Sequence, residues 1–224
     1  MKAEPNILSG YLLATSASRN EVRATILSTP HISEDGHFVA SQWEQFRITS
    51  AVPLLGEETT DSPFRYPLVC RRSEHHFLLL SLGRKSVDHF LSHVAPTNDV
   101  VFYRTSLGVD RAVRLIATGD TKYALTFVHA RVAAFGNTLR SVSFYGDDIS
   151  EADFFRDHLS LFNCYTCGIR AVVDAGEIIR ISSDGHISFT MSSVLSRDAR
   201  QKRLREVEEV LLFLRVSGFV SDPI

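Results

Sequence analysis

Between residues 100 and 145 the chain is a run of short apolar segments joined by connections too brief for any parallel crossover. "VVFYRTS" is followed by "AVRLIAT", "GDTK", "YALTFVHARVAAF", "GNT" and "LRSVSFY". Gly-containing links of three or four residues close hairpins, whereas a parallel connection needs a dozen residues or more. The segment is therefore expected to be an antiparallel meander over about 100–145. The rest of the chain is read around it.

Downstream, "GEIIRI", "SSDG" and "HISFTM" predict a hairpin over about 177–191 with an Asp-Gly turn. Upstream, "VRATIL" and "HFVASQWEQFRIT" alternate like strands on either side of a Pro-, Asp- and Gly-bearing turn, and "YPLVCRR" and "HFLLLSL" read as buried strands. Three segments change to helical spacing. Val87, Phe90, Leu91 and Val94 share a face over about 86–94, with Ser86 at the start and Pro96 at the end. "GDDISEADFFRDHLSLF" opens a helix over about 150–163, where Ser150 and Asp153 can act as a capping pair. The last helix is expected over about 197–216, with Gly218 placed to end it.

Strands and helices are segregated, so the fold class is α+β with mainly antiparallel sheet. The polar stretch "GEETTDSP" divides a β-rich segment, residues 1–56, from an α+β domain over 64–224, with one domain spanning 1–224 as the alternative.

Composition narrows the function classes. The longest apolar runs are "FLLL" and "VLLFL", far short of the ~20 residues of a membrane-spanning helix. With no apolar segment of signal-peptide length after Met1, the expected location is cytoplasmic and no membrane partner is expected. Three cysteines fit reduced thiols better than a disulfide framework. The net charge of −2 implies no global attraction to nucleic acid. Among 24 basic residues only Lys2, Lys85, Lys122 and Lys202 are lysines, and the arginine excess suits interfaces and phosphate contacts.

Cys164 and Cys167 have the spacing of half a zinc knuckle, but a structural zinc site takes four ligands. In an extended chain the two thiols are expected on opposite faces, unable to chelate together. His89 and His93 share a helix face but lack the glutamate of the HExxH pattern. Arg84 and Lys85 lie between a strand and a helix start, where an anion can be cradled. Asp147 and Asp148 follow a strand, suited either to a divalent metal or to the dipole of the next helix. There is no G-x-S-x-G, no P-loop and no G-x-G-x-x-G. The terminal helix carries Arg197, Arg200, Lys202, Arg203 and Arg205 in its first half, balanced by Glu206, Glu208 and Glu209. Its second half is apolar on most sides and is expected to be buried.

No constellation in the sequence assigns catalytic residues, a cofactor or a metal. The expectation is a non-enzymatic accessory or adaptor subunit in a cytoplasmic complex. It would act by binding one or more protein partners or by self-association, with nucleic acid contacted by the basic terminal helix. Arg84, Lys85, Arg197, Arg200, Lys202, Arg203 and Arg205 are the candidate partner- or anion-binding residues. One alternative is an enzyme acting on nucleic acid or phosphate esters through Arg84, His89 and Asp147 or Asp148. A second is a zinc-stabilised binding module built on Cys164 and Cys167.

Overall fold

The computed structural model describes residues 6–28, 32–34, 43–48, 68–71, 76–80, 87–88, 90–119, 122–132, 140–171, 178–191 and 197–216. They form antiparallel sheet with helices, the α+β class expected from the segregated pattern. The chain divides into two compact units, residues 1–105 with 191–211 and 222–224, and residues 106–190 with 212–221.

In the first unit the strands are β1 (Asn6–Ala14), β2 (Ile32–Glu34), β3 (Trp43–Ile48), β4 (Leu68–Arg71), β5 (His76–Leu80) and β6 (Tyr103–Arg104). They run β2-β3-β4-β5-β1 in space, with β6 also paired to β1, and every pairing is antiparallel. Residues 22–27, expected as a strand, lie instead in helix α1 (Arg19–Leu27). The reason is a capping box. Ser18 Oγ accepts the Glu21 N–H at 3.3 Å, and Glu21 Oε2 accepts the Ser18 N–H at 2.6 Å. Val22 and Ile26, four apart, then turn into the core. That core gathers Tyr11, Leu13, Phe46, Phe77, Phe90 and Phe102. Phe102 meets the Phe77 ring edge-on at 6.5 Å and the Phe90 ring at 5.4 Å. Of the helix expected over 86–94, Val87 and Asp88 are helical, Phe90–Val94 form a π-helical turn, and helix continues over Ala95–Thr97, past Pro96.

The second unit holds β7 (Tyr123–Val132), β8 (Ser141–Tyr145), β9 (Phe162–Ala171), β10 (Ile179–Ser182) and β11 (His186–Met191), ordered β11-β10-β9-β7-β8 and antiparallel throughout. The expected hairpin is present. Gly185, at φ 81°, donates its N–H to Ser182 O at 3.0 Å and closes the turn into β11. The expected meander is present from Tyr123 to Tyr145, but "AVRLIAT" is a correction, since residues 109–118 form helix α2 (Val109–Thr118). Its apolar residues Val109, Ala112, Val113, Ile116 and Ala117 recur every three or four positions, and all five are buried. A strand would have divided them between two faces.

The helix expected over 150–163 is also shorter. Asp148, in place of Ser150, caps a 3-10 turn over Ile149–Glu151, and α3 spans only Asp153–His158. A second 3-10 turn, Leu159–Leu161, leads into β9 at Phe162. Phe155 of α3 packs on Phe144 at 5.1 Å and fixes which face of the sheet is covered.

The terminal helix α4 spans Arg197–Val216 as expected. Its residues to Leu211 cluster with the first unit and those from Leu212 with the second. Val210, Leu211 and Leu214 are buried, but Leu212 is 48% exposed, so the apolar half is not buried on every side. Among the described residues no helix is long and apolar enough to cross a membrane.

Candidate binding face on the five-stranded sheet

Strand register sorts the second unit's side chains into two populations. Val128, Ala130 and Val132 of β7 pair across to Cys167, Cys164 and Phe162 of β9, and Ile181 and Ile179 of β10 continue that face. All are apolar and buried, and this is the face on which Phe155 rests. The alternate positions form the other face. One row across it reads Ser188, Arg180, Gly168, Phe127 and Tyr145 from β11 to β8. The next reads Ser182, Thr166, His129 and Ser143.

The first row is built around a glycine. A Cβ at position 168 would lie 2.3 and 2.4 Å from Phe127 Cε1 and Cδ1 and 2.7 Å from Thr126 Oγ1. The absent side chain is thus the seat of the Phe127 ring, a place where backbone must be approached closely. The Arg180 guanidinium lies over that ring at 5.0 Å from its centroid, within cation–π range. On its other side Tyr145 stacks at 6.3 Å and 27°. In the second row His129 sits 5.4 Å from Phe127, 5.7 Å from Tyr145 and 6.4 Å from Tyr165. Its Nδ1 is 2.8 Å from Ser143 Oγ, and its Nε2 is 3.4 Å from the Tyr145 hydroxyl. Tyr145 is 72% exposed and Tyr165 37%.

The face is also charged in one sense. The five strands contain Arg131, Arg170, Arg180, His129 and His186 and no aspartate or glutamate. Arg131 and Arg180 are exposed, and Arg170 is half-buried with one N–H donated to Asp147 O at 2.9 Å.

Two bulges in β7 and β9 shape this arrangement, and each is repaired by an aspartate. A register shift between His129 and Ala130 places Tyr165 opposite no residue of β7. Cys164 and Cys167 therefore reach the same face, against the expectation for an unbroken strand. Cys164, 3% exposed, and Cys167, fully buried, both lie in the apolar layer. Burial, the Asp110 carboxylate and its hydrogen bond push the Cys164 thiol up to about 12, with Arg114 pulling the other way. Burial and the neighbouring Cys164 push Cys167 higher still. Asp110 Oδ1 accepts the Cys164 N–H at 2.9 Å, and Arg114 donates to Asp110 Oδ2 at 2.7 Å and to Phe162 O at 2.9 Å. The second shift lies between Leu125 and Phe127. There Asp148 Oδ1 accepts from the Leu125 N–H at 3.3 Å, the Ser150 N–H at 2.9 Å and the Ser150 hydroxyl.

Most sequence candidates are placed elsewhere or not described. Arg84, Lys85 and His89 lie outside the described residues, as do the side chains of His93, Arg197, Arg200, Lys202 and Arg203. Arg205 is exposed on α4. Asp147 gives its carbonyl to Arg170, and Asp148 is the cap just described. Among the described residues no three His, Cys, Asp or Glu side chains are grouped to hold a metal ion. Sequence reasoning missed the aromatic row entirely. Its one readable signal was that the five strand segments themselves carry Arg131, Arg170 and Arg180 and no acid, the acids Asp147, Asp148 and Asp184 falling in the turns beside them. Compared with known proteins, the sequence matches no protein-family model and no curated protein.

Proposed function

We propose that this chain is a non-enzymatic accessory subunit that works by binding a macromolecule, its working surface being the face of the β11-β10-β9-β7-β8 sheet opposite Phe155, which is open at Arg131, Ser141, Ser143, Tyr145 and Arg180 while Phe127 and Ser188 are buried within it. One observation carries the reading: Arg180, Phe127 and Tyr145 form a row, braced by His129, whose outer end is a tyrosine 72% exposed. An aromatic side chain held by neighbours and still largely presented to water keeps a face for an outside partner, and rigid aromatics with arginine are the residues that dominate interfaces. Three of the side chains weighed for chemistry are engaged otherwise. Asp148 already accepts three donors, and both described cysteines are held protonated in the apolar layer.

Site-specific photocrosslinking in the source cells tests this. A benzophenone side chain at position 145 should give macromolecular adducts that the same group at Asp157, exposed on α3, does not. Equal adducts at both positions, or none at 145, would remove the open face as the working surface.

A further inference from the structure

Resting on that reading, we propose that the macromolecule on the open sheet face is single-stranded RNA, its bases stacked on Tyr145, His129 and Tyr165 and its phosphates met by Arg131 and Arg180.

Charge is the first argument. The chain as a whole is slightly acidic, at −2, yet the five strands hold three arginines and no carboxylate. A protein partner of ordinary mixed surface would meet cations with no acid to pair its own lysines and arginines. On the strands themselves a polyanion would meet cations and no acid, the nearest described acids, Asp147 and Asp184, lying in the turns. Stacking is the second argument. Exposed rings on neighbouring strands, with a guanidinium beside them, are the elements that bind unstacked bases, since every base has a π-face. A duplex offers no free base faces, so the rings favour a single strand.

The third argument separates RNA from DNA. The polar positions between the rings and cations are hydroxyls and an amide: Ser141, Ser143, Thr166, Ser182 and Asn163. Each offers both a donor and an acceptor, which matches the 2′-hydroxyl that only RNA carries. Ser141, Ser143 and Asn163 are exposed.

Fluorescence anisotropy with labelled dodecamers tests the proposal on the full chain. Oligo(U) should bind, oligo(dT) should bind several-fold more weakly, and a 12-base-pair RNA duplex should bind least. Raising salt should weaken oligo(U) binding with a log–log slope of about −1.4, the value for two phosphate contacts to a single strand. Tyr145→Ala should weaken binding at least about 5-fold, whereas Tyr145→Phe should keep it. Arg180→Ala should weaken binding and flatten the salt slope by about 0.7. Phe154→Ala, at a ring exposed on α3, should leave binding unchanged and serves as the folding-matched control.

Equal affinity for oligo(U) and oligo(dT) overturns the assignment to RNA. Binding indifferent to salt and to Tyr145→Ala overturns the face as its site. If no oligonucleotide binds while the position-145 crosslink captures a polypeptide, the RNA inference fails and the accessory-subunit reading stands. If neither occurs, both fall.

Discussion

Gly168 is a single hydrogen atom on which an aromatic cluster depends. Because the Phe127 ring occupies the space a Cβ would take, Gly168→Ala must displace a buried ring wedged between Arg180 and Tyr145. Overpacking of that kind costs about 1–3 kcal/mol. Urea unfolding should show the loss for Gly168→Ala, and adding Phe127→Leu should recover part of it, because the smaller side chain vacates the contested volume. A double variant as unstable as the sum of the two singles would mean the ring is not what the methyl meets. Cys164 makes a second prediction at this scale. Its thiol is raised from the ordinary 9.0 to about 12, so the folded state holds the proton that the unfolded chain gives up first. The stabilisation is whole below pH 9 and drains away as pH rises from 9 towards 12. Replacing Cys164 by Ala removes this titration, so its stability should fall less steeply than the parent's across that window. A parent and variant with parallel pH curves would argue against a protonated, buried thiol.

At the scale of elements, α2 and β9 are joined by a charge rather than by apolar contact alone. Asp110 sits in the first turn of α2, where the helix dipole favours an anion, and reaches the Cys164 amide beside the β9 bulge. Arg114 closes the clamp onto Asp110 and Phe162 O. Asp110→Ala leaves a buried N–H with no acceptor and should cost about 1–3 kcal/mol in chemical denaturation, while Asp110→Asn keeps an oxygen there and should cost less. Equal losses would mean that the ion pair with Arg114, and not the amide, carries the effect. This clamp also explains which elements could be read from sequence. Helix 197–216 was legible because twenty residues of sustained helical character outweigh any local ambiguity, and the 179–191 hairpin because Asp184-Gly185 permits few other conformations. Residues 112–118 were not, because seven residues alternate as well as they spiral. The three-four spacing of Ala112, Val113, Ile116 and Ala117 becomes decisive only over a longer window that Val109 extends. Ser18 and Glu21 have the S-x-x-E spacing of a capping box, a start signal that the apparent alternation of residues 22–27 masks. The bulge at Tyr165 left no such trace. An extra residue in a strand reverses the facing of everything beyond it, so the shared face of Cys164 and Cys167 could not be counted out from their spacing. The binding face was hidden for a related reason. Arg180, Gly168, Phe127 and Tyr145 are distant in sequence and become neighbours only through register.

For the whole molecule, the separation of charge and the division of the last helix matter more than any single contact. The described acids of the second unit lie in its helices and turns, at Asp110, Asp148 and Asp153 among others, so a chain of net charge −2 still presents cationic strands. Residues of α4 belong to both units. Leu211 clusters with the first and Leu214 with the second, where the neighbouring Phe213 ring meets Tyr123 at 4.8 Å. Both leucines are buried, so each truncation to alanine should cost about 2–5 kcal/mol, whereas Leu212→Ala at a half-exposed site should stay within about 0.5 kcal/mol. Amide hydrogen exchange then reports where each loss is felt. Leu211→Ala should speed exchange along the β1–β5 ladder, and Leu214→Ala along the β7–β9 ladder. The same acceleration in both ladders for either variant would show that the units open as one cooperative body. Separate responses, three residues apart on one helix, would show that each unit draws its stability from its own share of α4.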